Sequence, residues 1–465
     1  MSDPAARGLF DGVLAAGPVA AAVDDRAWVQ AMLDFESALA HAEADAELIP
    51  AAAAAEIGNH CRAELYDIGE LGARATGIGN PAGPLVRALT ERVGGAAAGY
   101  VHLGATSQDV MDTAAMLVTD RALAVLDEDL RAVAARLAEL AETHTATVLA
   151  GRSLLQQATP VTFGFTAAGW LGGILAGRDR LTAVRAERLA VQFGGAVGTL
   201  AALGDHGIEV SARLARRLGL AVPLLPWHTE RSRIAEVAAA LGQTCGAVAK
   251  IARDIALLAQ TEVAEVFEQG PAGTGGSSTM PHKRNPVAAV LAAAAAGQAP
   301  GLVADLLAAA VHEHQRAAGS WHAEWRPYRE LLRTTGSAVH WLRVSLDRLR
   351  VDADRMRANL DRTGGLLLAE NVAVEVLAAS GGEVGRQAAG DAVAACCRES
   401  LSGAGDPADL LAADATIGKY LSRGRIGELL DPAGYLGSAE AFVTRTVRHW
   451  NEIRDVPESG EDVVR

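Results

Sequence analysis

The sequence has few aromatic residues, and this shortage excludes a protein built mainly of sheets. Phe, Trp and Tyr make up 4% of the 465 residues, although half of the chain is hydrophobic. The apolar residues are mainly Ala, Leu and Val, while strand-favouring aromatics and runs of Ile are scarce. The composition therefore predicts an all-α protein. The chain is too long for one compact core, so two or three domains are expected.

Cysteine is also rare, and its placement excludes a disulfide-stapled protein. Four cysteines occur, with no CxxC pair; they are Cys61, Cys245, Cys396 and Cys397. Metal-binding and redox motifs need closely spaced pairs, and secreted scaffolds need a dense framework. The cysteines therefore indicate reduced core thiols in a cytoplasmic protein.

An excess of basic charge is missing as well. The formal net charge is −14, whereas proteins that bind nucleic acid or anionic membranes usually carry a basic field. Residues 1–18 show no basic-then-apolar signal pattern. The most apolar stretch, 287–311, is interrupted by Gln298, Pro300 and Asp305, which favours a buried bundle helix over a membrane span. We expect no nucleic-acid or membrane partner.

The spacing of breaks along the chain predicts three helical domains. Residues 1–111 contain helical segments and glycine-rich loops, and residues 362–465 contain shorter helices separated by glycine and proline. The middle region, 112–361, has long periodic segments such as 232–268, which lacks proline. Because charged residues interrupt its apolar face, this region is expected to form a central bundle of long helices.

One loop carries the most specific signal in the chain. Residues 275–286 read GGSSTMPHKRNP, which combines a glycine entrance, two adjacent serines, a lysine and an asparagine before a proline. Two glycines and two serines alone would be typical of a linker. The complete string resembles the signature loop of the fumarase/aspartase superfamily, GSSxMPxKxNP, at every fixed position. The resemblance implies a metabolic enzyme.

Two further segments resemble the other signature regions of that superfamily. They are HLGATSQD at 102–109 and GRSLLQQATPVTFG at 151–164, and GGAVGT follows at 194–199. The last string lacks the GxGxxG spacing and the Walker lysine, so tight helix packing explains it better than nucleotide binding. In the superfamily the three regions meet from three subunits. The resemblance therefore implies a homotetramer whose multi-helix core is completed by assembly and whose active sites are shared.

The superfamily removes or adds a proton beside a carboxylate, which requires donors and a cation around the resulting aci-carboxylate. Ser277 matches the catalytic base, and glycine-assisted loop closure would have to activate its hydroxyl. The resemblance assigns small-polycarboxylate binding to His102, Thr106, Ser107, Gln156, Ser278, Lys283 and Asn285. Ser278 could instead be a structural hydroxyl of the loop, and a lone histidine such as His102 is often structural. His144 is interpreted as structural rather than catalytic.

No cofactor or metal is expected. The chain has 12 histidines, but no HExxH motif. His312 and His314 are two residues apart, so on a helix they would point to different faces. The donors needed for the chemistry come from the protein itself, so activity is expected without a metal ion.

One position distinguishes the branches of the superfamily. Fumarase, argininosuccinate lyase and many adenylosuccinate lyases carry GRTH, whereas this chain has Ser153 and Leu154 at the last two positions. Bacterial 3-carboxy-cis,cis-muconate cycloisomerases place an apolar residue there, and segments 226–233, 313–325 and 431–437 resemble them too. A carbon–nitrogen lyase that releases fumarate remains the alternative. A non-catalytic structural protein is disfavoured by the intact serine loop.

Overall fold

The all-α prediction is confirmed by the computed structural model, which describes residues 8–271, 274–276, 280 and 283–454. Short helices and one long helix form the first region: α1 (Asp11–Leu14), α2 (Val19–Ala22), α3 (Asp25–Asp45), α4 (Ala51–Asn59), α5 (Ile68–Ala75) and α6 (Ala82–Val93). Helix α3 begins where the Asp24 side chain accepts a 2.8 Å hydrogen bond from the amide of Ala27. This N-cap satisfies one of the free amides at the helix start.

The middle region contains the longest helices and two small antiparallel sheets. Its elements are α7 (Ser107–Thr143), β1 (Val148–Ser153), β2 (Gln156–Thr162), α8 (Phe163–Glu187), α9 (Gly207–Leu218), α10 (Ser232–Leu258), β3 (Val266–Glu268), α11 (Val287–Ala296), α12 (Ala299–Ala309), α13 (Ser320–Arg348), β4 (Leu349–Val351) and α14 (Ala353–Asp361). Strand β1 pairs with β2, and β3 pairs with β4. Helices α7, α8, α10 and α13 pack against one another through buried Leu, Val, Ile and Ala, which forms the predicted bundle.

Two segments expected to be continuous helices are interrupted. Helix α10 ends at Leu258, and residues 266–268 form a strand instead, because Val266 and its neighbours pair with β4. The stretch 287–311 breaks at Gly297, and Pro300 occupies the first turn of α12. Residues 232–258 and 287–309 have membrane-like length and mean hydropathies of 1.2 and 1.7. Their helices pack against other bundle helices, as core helices do.

The last region builds a second, smaller hydrophobic core. It comprises α15 (Ala369–Ala379), α16 (Arg386–Leu401), α17 (Pro407–Ala413), α18 (Arg423–Leu429) and α19 (Ala439–Ile453). Buried side chains of α15 to α18, including Val372, Val376 and Ile426, form this cluster. Helix α19 instead packs back on α8 and α7. The division at 111/112 and 361/362 stays a proposal; the first of these points lies within α7.

Candidate active site

The first signature region forms a tight turn that ends in the N-terminus of α7. Thr106 is the N-cap, and its amide donates a 3.0 Å hydrogen bond to the Asp109 carboxylate. Gly104 has a φ of 71°, and a side chain there would collide with Leu203. Thr106 and Ser107 therefore lie at the positive end of a helix of 37 residues, which is a favourable place for an anion.

The fully buried Asp109 carboxylate organises this turn. It accepts hydrogen bonds from five N–H groups, those of the Gln192 side chain (3.0 Å), Gly194 (3.1 Å), Gly195 (2.9 Å), the His228 ring (2.7 Å) and Thr106 (3.0 Å). With all five donors directed at it, the carboxylate is the ionised acceptor, and Nε2 of the histidine carries the proton. The expectation that the GGAVGT glycines serve helix packing was wrong. They form a loop whose amides bind Asp109, and a Cβ on Gly195 would lie 2.8 Å from the Gly104 carbonyl.

A second buried network lies next to Asp109. Arg231 donates to Asp112 at 2.8 and 3.1 Å and to Glu324 at 2.6 to 3.2 Å. Glu324 also contacts Nε2 of His312 at 3.1 Å, and Trp321 donates to Asp112 at 3.0 Å. Burial opposes the charged guanidinium, but the two carboxylates outweigh it and raise the pKa of Arg231. The buried cation is therefore compensated, as buried ions must be.

Gln108 joins this network to the turn. Its Nε2 donates to Asp112 at 3.0 Å and to the His228 carbonyl at 2.8 Å, so its Oε1 must point the other way. That oxygen accepts a 2.8 Å hydrogen bond from Nε of Arg316, and the same guanidinium donates to Oγ1 of Thr106 at 3.0 Å. Sequence reasoning assigned no role to Gln108, Asp109 or Arg316. All three lie inside segments that carry the family resemblance, which was the available signal.

His102 lies four residues before Thr106 and is held by a buried carboxylate. Its Nδ1 is 2.7 Å from Oε1 of Glu36 on α3, whose side chain is 1% exposed. Burial alone would lower the pKa of His102, but the charge and hydrogen bond of Glu36 outweigh it, so the pKa is raised. A histidine whose charged form is favoured in this way suits the predicted role of His102 as a contact for an anionic substrate.

The second signature region is the hairpin of β1 and β2. Ser153 pairs with Gln156, and the two-residue turn between them consists of Leu154 and Leu155, with φ values of 53° and 64°. Both leucines are exposed, 94% and 72%, and Gln156 is exposed as well. Two leucines in left-handed conformation at an exposed turn are unusual, because Asn and Gly are preferred there. The position where related enzymes carry histidine is thus an apolar hairpin tip.

The hairpin is anchored at its base rather than at its tip. Arg152 donates to both carboxylate oxygens of the buried Glu265, at 2.9 and 2.7 Å. The side chain of Asn359 on α14 donates to the same carboxylate at 2.9 Å. Gln157 donates to the Asn359 carbonyl at 3.1 Å. These contacts fix the direction of the strands and leave Leu154 and Gln156 facing outwards.

The serine loop is described only in part, and Ser277 and Ser278 lie outside the described residues. The loop's entrance and exit are joined, because the backbone and side-chain amides of Asn285 donate to the Gly275 carbonyl at 2.9 and 3.1 Å. Gly275 has a φ of 74°, and a Cβ there would approach the Asn285 carbonyl to 2.9 Å. Lys283 is exposed. The asparagine therefore has a structural contact in addition to its predicted substrate contact.

Glu268 fixes the helix that follows the loop. Its carboxylate accepts hydrogen bonds from the amides of Ala288 and Ala289, at 3.0 and 2.9 Å, in the first turn of α11. The Ser345 hydroxyl donates to the same carboxylate at 2.7 Å. An acidic side chain at a helix N-terminus stabilises the helix through its free amides. The exit of the loop is thereby held against α13.

The predicted site residues fall into separate groups within one chain. His102, Thr106 and Ser107 share the turn before α7, while Gln156 lies at the hairpin and Lys283 and Asn285 in the loop. Among the described residues, no hydrogen bond or ion pair joins Gln156, Lys283 or Asn285 to the first group. In the described part of the chain, polar contacts therefore do not bring the three signature regions together.

His144 has structural contacts, as predicted. His144 ends α7, where its Nδ1 lies 3.0 Å from the Thr147 hydroxyl and its ring packs edge-on against Phe163. His312 and His314 lie in the loop between α12 and α13, so the expectation of two helix faces was wrong. Within the described ranges, no group of three or more His, Cys, Asp or Glu side chains is placed to hold a metal ion. Metal-independent activity stays a prediction.

Comparison with known proteins places this geometry in a family. Residues 14–301 match the family model described as lyase, and residues 365–446 match that of the adenylosuccinate lyase C-terminus. A 3-carboxy-cis,cis-muconate cycloisomerase of Pseudomonas aeruginosa is 49% identical over 96% of this chain and 97% of its own length. A nitrosuccinate lyase of Streptomyces davaonensis is 44% identical over 95% and 94%.

The fold agrees with these sequence matches. The crystal structure of a 3-carboxy-cis,cis-muconate lactonizing enzyme from Pseudomonas putida superposes with a TM-score of 0.89 at 42% identity, covering 96% of this chain and 99% of that one. The similarity covers nearly the whole chain and includes all three signature regions. The chain is therefore an enzyme of the lyase family within the fumarase/aspartase superfamily.

Proposed function

We propose that the chain catalyses the lactonising cycloisomerisation of 3-carboxy-cis,cis-muconate, a step in the breakdown of aromatic compounds. The observation that carries the proposal is Leu154, which replaces the family histidine at the tip of the hairpin, in a chain 49% identical to a cycloisomerase. An apolar side chain can neither relay a proton nor assist a leaving group. The hairpin thus lacks a group that elimination would use and that lactonisation does not need.

The proposed reaction is an internal addition that conserves all atoms. A carboxylate oxygen of the substrate forms a bond to one carbon of a double bond, and the neighbouring carbon receives a proton. That neighbouring carbon carries another carboxylate, where negative charge builds up as the aci form. Ser277 transfers the proton, while Lys283 and Asn285 hold the carboxylate whose charge increases.

The active unit is proposed to be a homotetramer in the cytoplasm, without cofactor, metal, nucleic-acid or membrane partner. Support comes from the exposed apolar side chains of one chain, including both leucines of the hairpin tip and Val287, Val290, Leu307 and Val311 around α11 and α12. Large apolar patches on an isolated chain are typical of surfaces that subunits cover. Assembly through these surfaces would complete the bundle core and bring Gln156 and the serine loop of neighbouring chains to Thr106.

The second candidate is a carbon–nitrogen lyase, favoured by the similarity to the nitrosuccinate lyase. Both reactions pass through an aci-carboxylate and use the same serine loop, so they differ in what leaves. Elimination releases nitrite or an amine with fumarate, whereas cycloisomerisation releases nothing.

The discriminating experiment supplies the purified protein with 3-carboxy-cis,cis-muconate, nitrosuccinate, adenylosuccinate and argininosuccinate in separate assays. Ultraviolet absorbance follows loss of the conjugated triacid or appearance of fumarate. The proposal requires the largest kcat/KM for 3-carboxy-cis,cis-muconate. A larger value for nitrosuccinate would establish the lyase instead.

A further inference from the structure

Arg316 lies beside Thr106 and makes only neutral contacts. Its Nε donates to Oε1 of Gln108 at 2.8 Å, and one terminal nitrogen donates to Oγ1 of Thr106 at 3.0 Å and to the Ala196 carbonyl at 3.3 Å. None of these acceptors carries a charge. In the described part of the chain, Arg316 forms no ion pair, although its side chain is half-buried.

The buried arginine of the neighbouring network and the arginine of the hairpin are both neutralised by carboxylates. Arg231 binds two carboxylates, and Arg152 binds Glu265 through two hydrogen bonds. Removing a cation from water is costly unless an anion compensates it, which accounts for those pairs. Arg233, Arg348 and Arg355 are also half-buried without an ion pair among the described residues. Of these four arginines, Arg316 is the one that donates a hydrogen bond to Thr106, at the turn before α7.

The position of the guanidinium is fixed before any ligand arrives. The Gln108 amide is oriented by its own donation to Asp112 and to the His228 carbonyl, so its oxygen can only face Arg316. Thr106 is held by the hydrogen bond from its amide to Asp109. Among the described residues, the second terminal nitrogen of Arg316 has no acceptor. A planar guanidinium held in this way favours a carboxylate, with which it can form charge-assisted hydrogen bonds.

We propose that Arg316 binds the 3-carboxylate of the substrate, and this assignment rests on the function proposed above. The substrate has three carboxylates with different roles. The carboxylate next to the protonated carbon is bound by the serine loop. The carboxylate that attacks the double bond must keep a free lone pair. The third carboxylate, on the carbon that is attacked, changes little in charge during the reaction. It is therefore the one that a fixed cation can bind throughout. Arg316 thereby selects a tricarboxylate over cis,cis-muconate, which lacks this group.

The test measures the KM and kcat for 3-carboxy-cis,cis-muconate and the inhibition constant of cis,cis-muconate for wild type, Arg316→Gln and Arg316→Lys. Arg316→Gln is expected to raise the KM by roughly tenfold or more, because charge-assisted hydrogen bonds are lost, with a smaller change in kcat. The inhibition constant of cis,cis-muconate should change by less than about threefold. Arg316→Lys keeps the positive charge but not the planar guanidinium, so its KM should lie between those of wild type and Arg316→Gln.

Arg357→Gln is the matched control, because it removes the same charge from an exposed arginine that pairs with Asp361. Its kinetics should equal those of wild type. An unchanged KM in Arg316→Gln would overturn the proposal, and so would equal weakening of both ligands or loss of the tetramer on sedimentation, which indicate a structural role. If wild type does not cyclise the triacid, the proposed function fails first. Calorimetry with tricarballylate and glutarate then decides separately whether Arg316 recognises a third carboxylate.

Discussion

Nε2 of His228 donates a 2.7 Å hydrogen bond to the buried carboxylate of Asp109, a residue 119 positions earlier in the chain. This contact ties the loop before α10 to the first turn of α7. The same carboxylate binds the amide of Thr106 and the amides of Gly194 and Gly195 in the GGAVGT loop. Asp109 therefore holds the turn that presents the predicted substrate contacts, although it is itself inaccessible.

Asp109→Asn should destabilise the protein and slow turnover. The amide turns an NH2 group toward donors that now lack an acceptor, and a broken buried charge network costs roughly 3–5 kcal/mol. Urea unfolding measures the loss of stability, and kcat is expected to fall because Thr106 is no longer held. The exposed Asp205→Asn should be neutral in both assays. Wild-type stability in Asp109→Asn would contradict the role given to this carboxylate.

Ser277→Ala should abolish proton transfer while the substrate still binds. Loss of a general acid–base group lowers turnover by on the order of a thousandfold or more, whereas the substitution removes only one oxygen atom and leaves the charges that bind the substrate in place. Stopped-flow turnover and equilibrium binding separate the two effects. Lys283→Met should weaken binding as well, because the ground-state carboxylate already needs the charge. If Ser278→Ala or His144→Ala abolishes turnover and Ser277→Ala does not, the assignment is wrong.

Local sequence signals predicted the architecture and the signature segments. Helical composition and the twelve-residue loop each carry their information within a short stretch of chain. The roles of Asp109, Gln108 and Arg316 could not be obtained in this way, since their long-range partners lie 83 to 210 positions away in the chain. The strand at Val266 was missed for the same reason, because only its pairing with β4 distinguishes it from a continued helix.

Glu43 should make the protein lose stability as the pH rises. Burial, and then the charge of Glu36, raise the pKa of Glu43 from 4.5 to about 9 in the folded protein. Between these values the folded state keeps a proton that the unfolded state releases, so the free energy of unfolding falls with increasing pH. Glu43→Gln removes this dependence. The melting temperature of Glu43→Gln minus that of wild type should therefore increase steadily across that pH range.

The exposed Glu91→Gln on α6 is the control for Glu43→Gln, since it removes a carboxylate that water already solvates. Its melting temperature should follow that of wild type at every pH. A constant difference between Glu43→Gln and wild type over the same range would mean that Glu43 ionises normally in the folded protein.

Replacing Leu154–Leu155 by Asn-Gly tests whether the hairpin tip serves the assembly. The substitution suits the left-handed turn better, so the hairpin itself should be stabilised. If neighbouring subunits cover the leucines, however, assembly and activity should both decrease despite the improved turn. Sedimentation velocity and kcat are the measurements. A fully active tetramer with Asn-Gly at the tip would show that these side chains contact nothing essential.

The central claim is that the reaction is an isomerisation, and mass spectrometry of the product in D2O tests it most directly. Wild-type protein supplied with 3-carboxy-cis,cis-muconate should yield a lactone of the same elemental composition that carries one non-exchangeable deuteron, with no small molecule released. Ser277→Ala should leave the substrate unchanged. No conversion of this triacid by wild type, together with release of nitrite and fumarate from nitrosuccinate, would contradict the account.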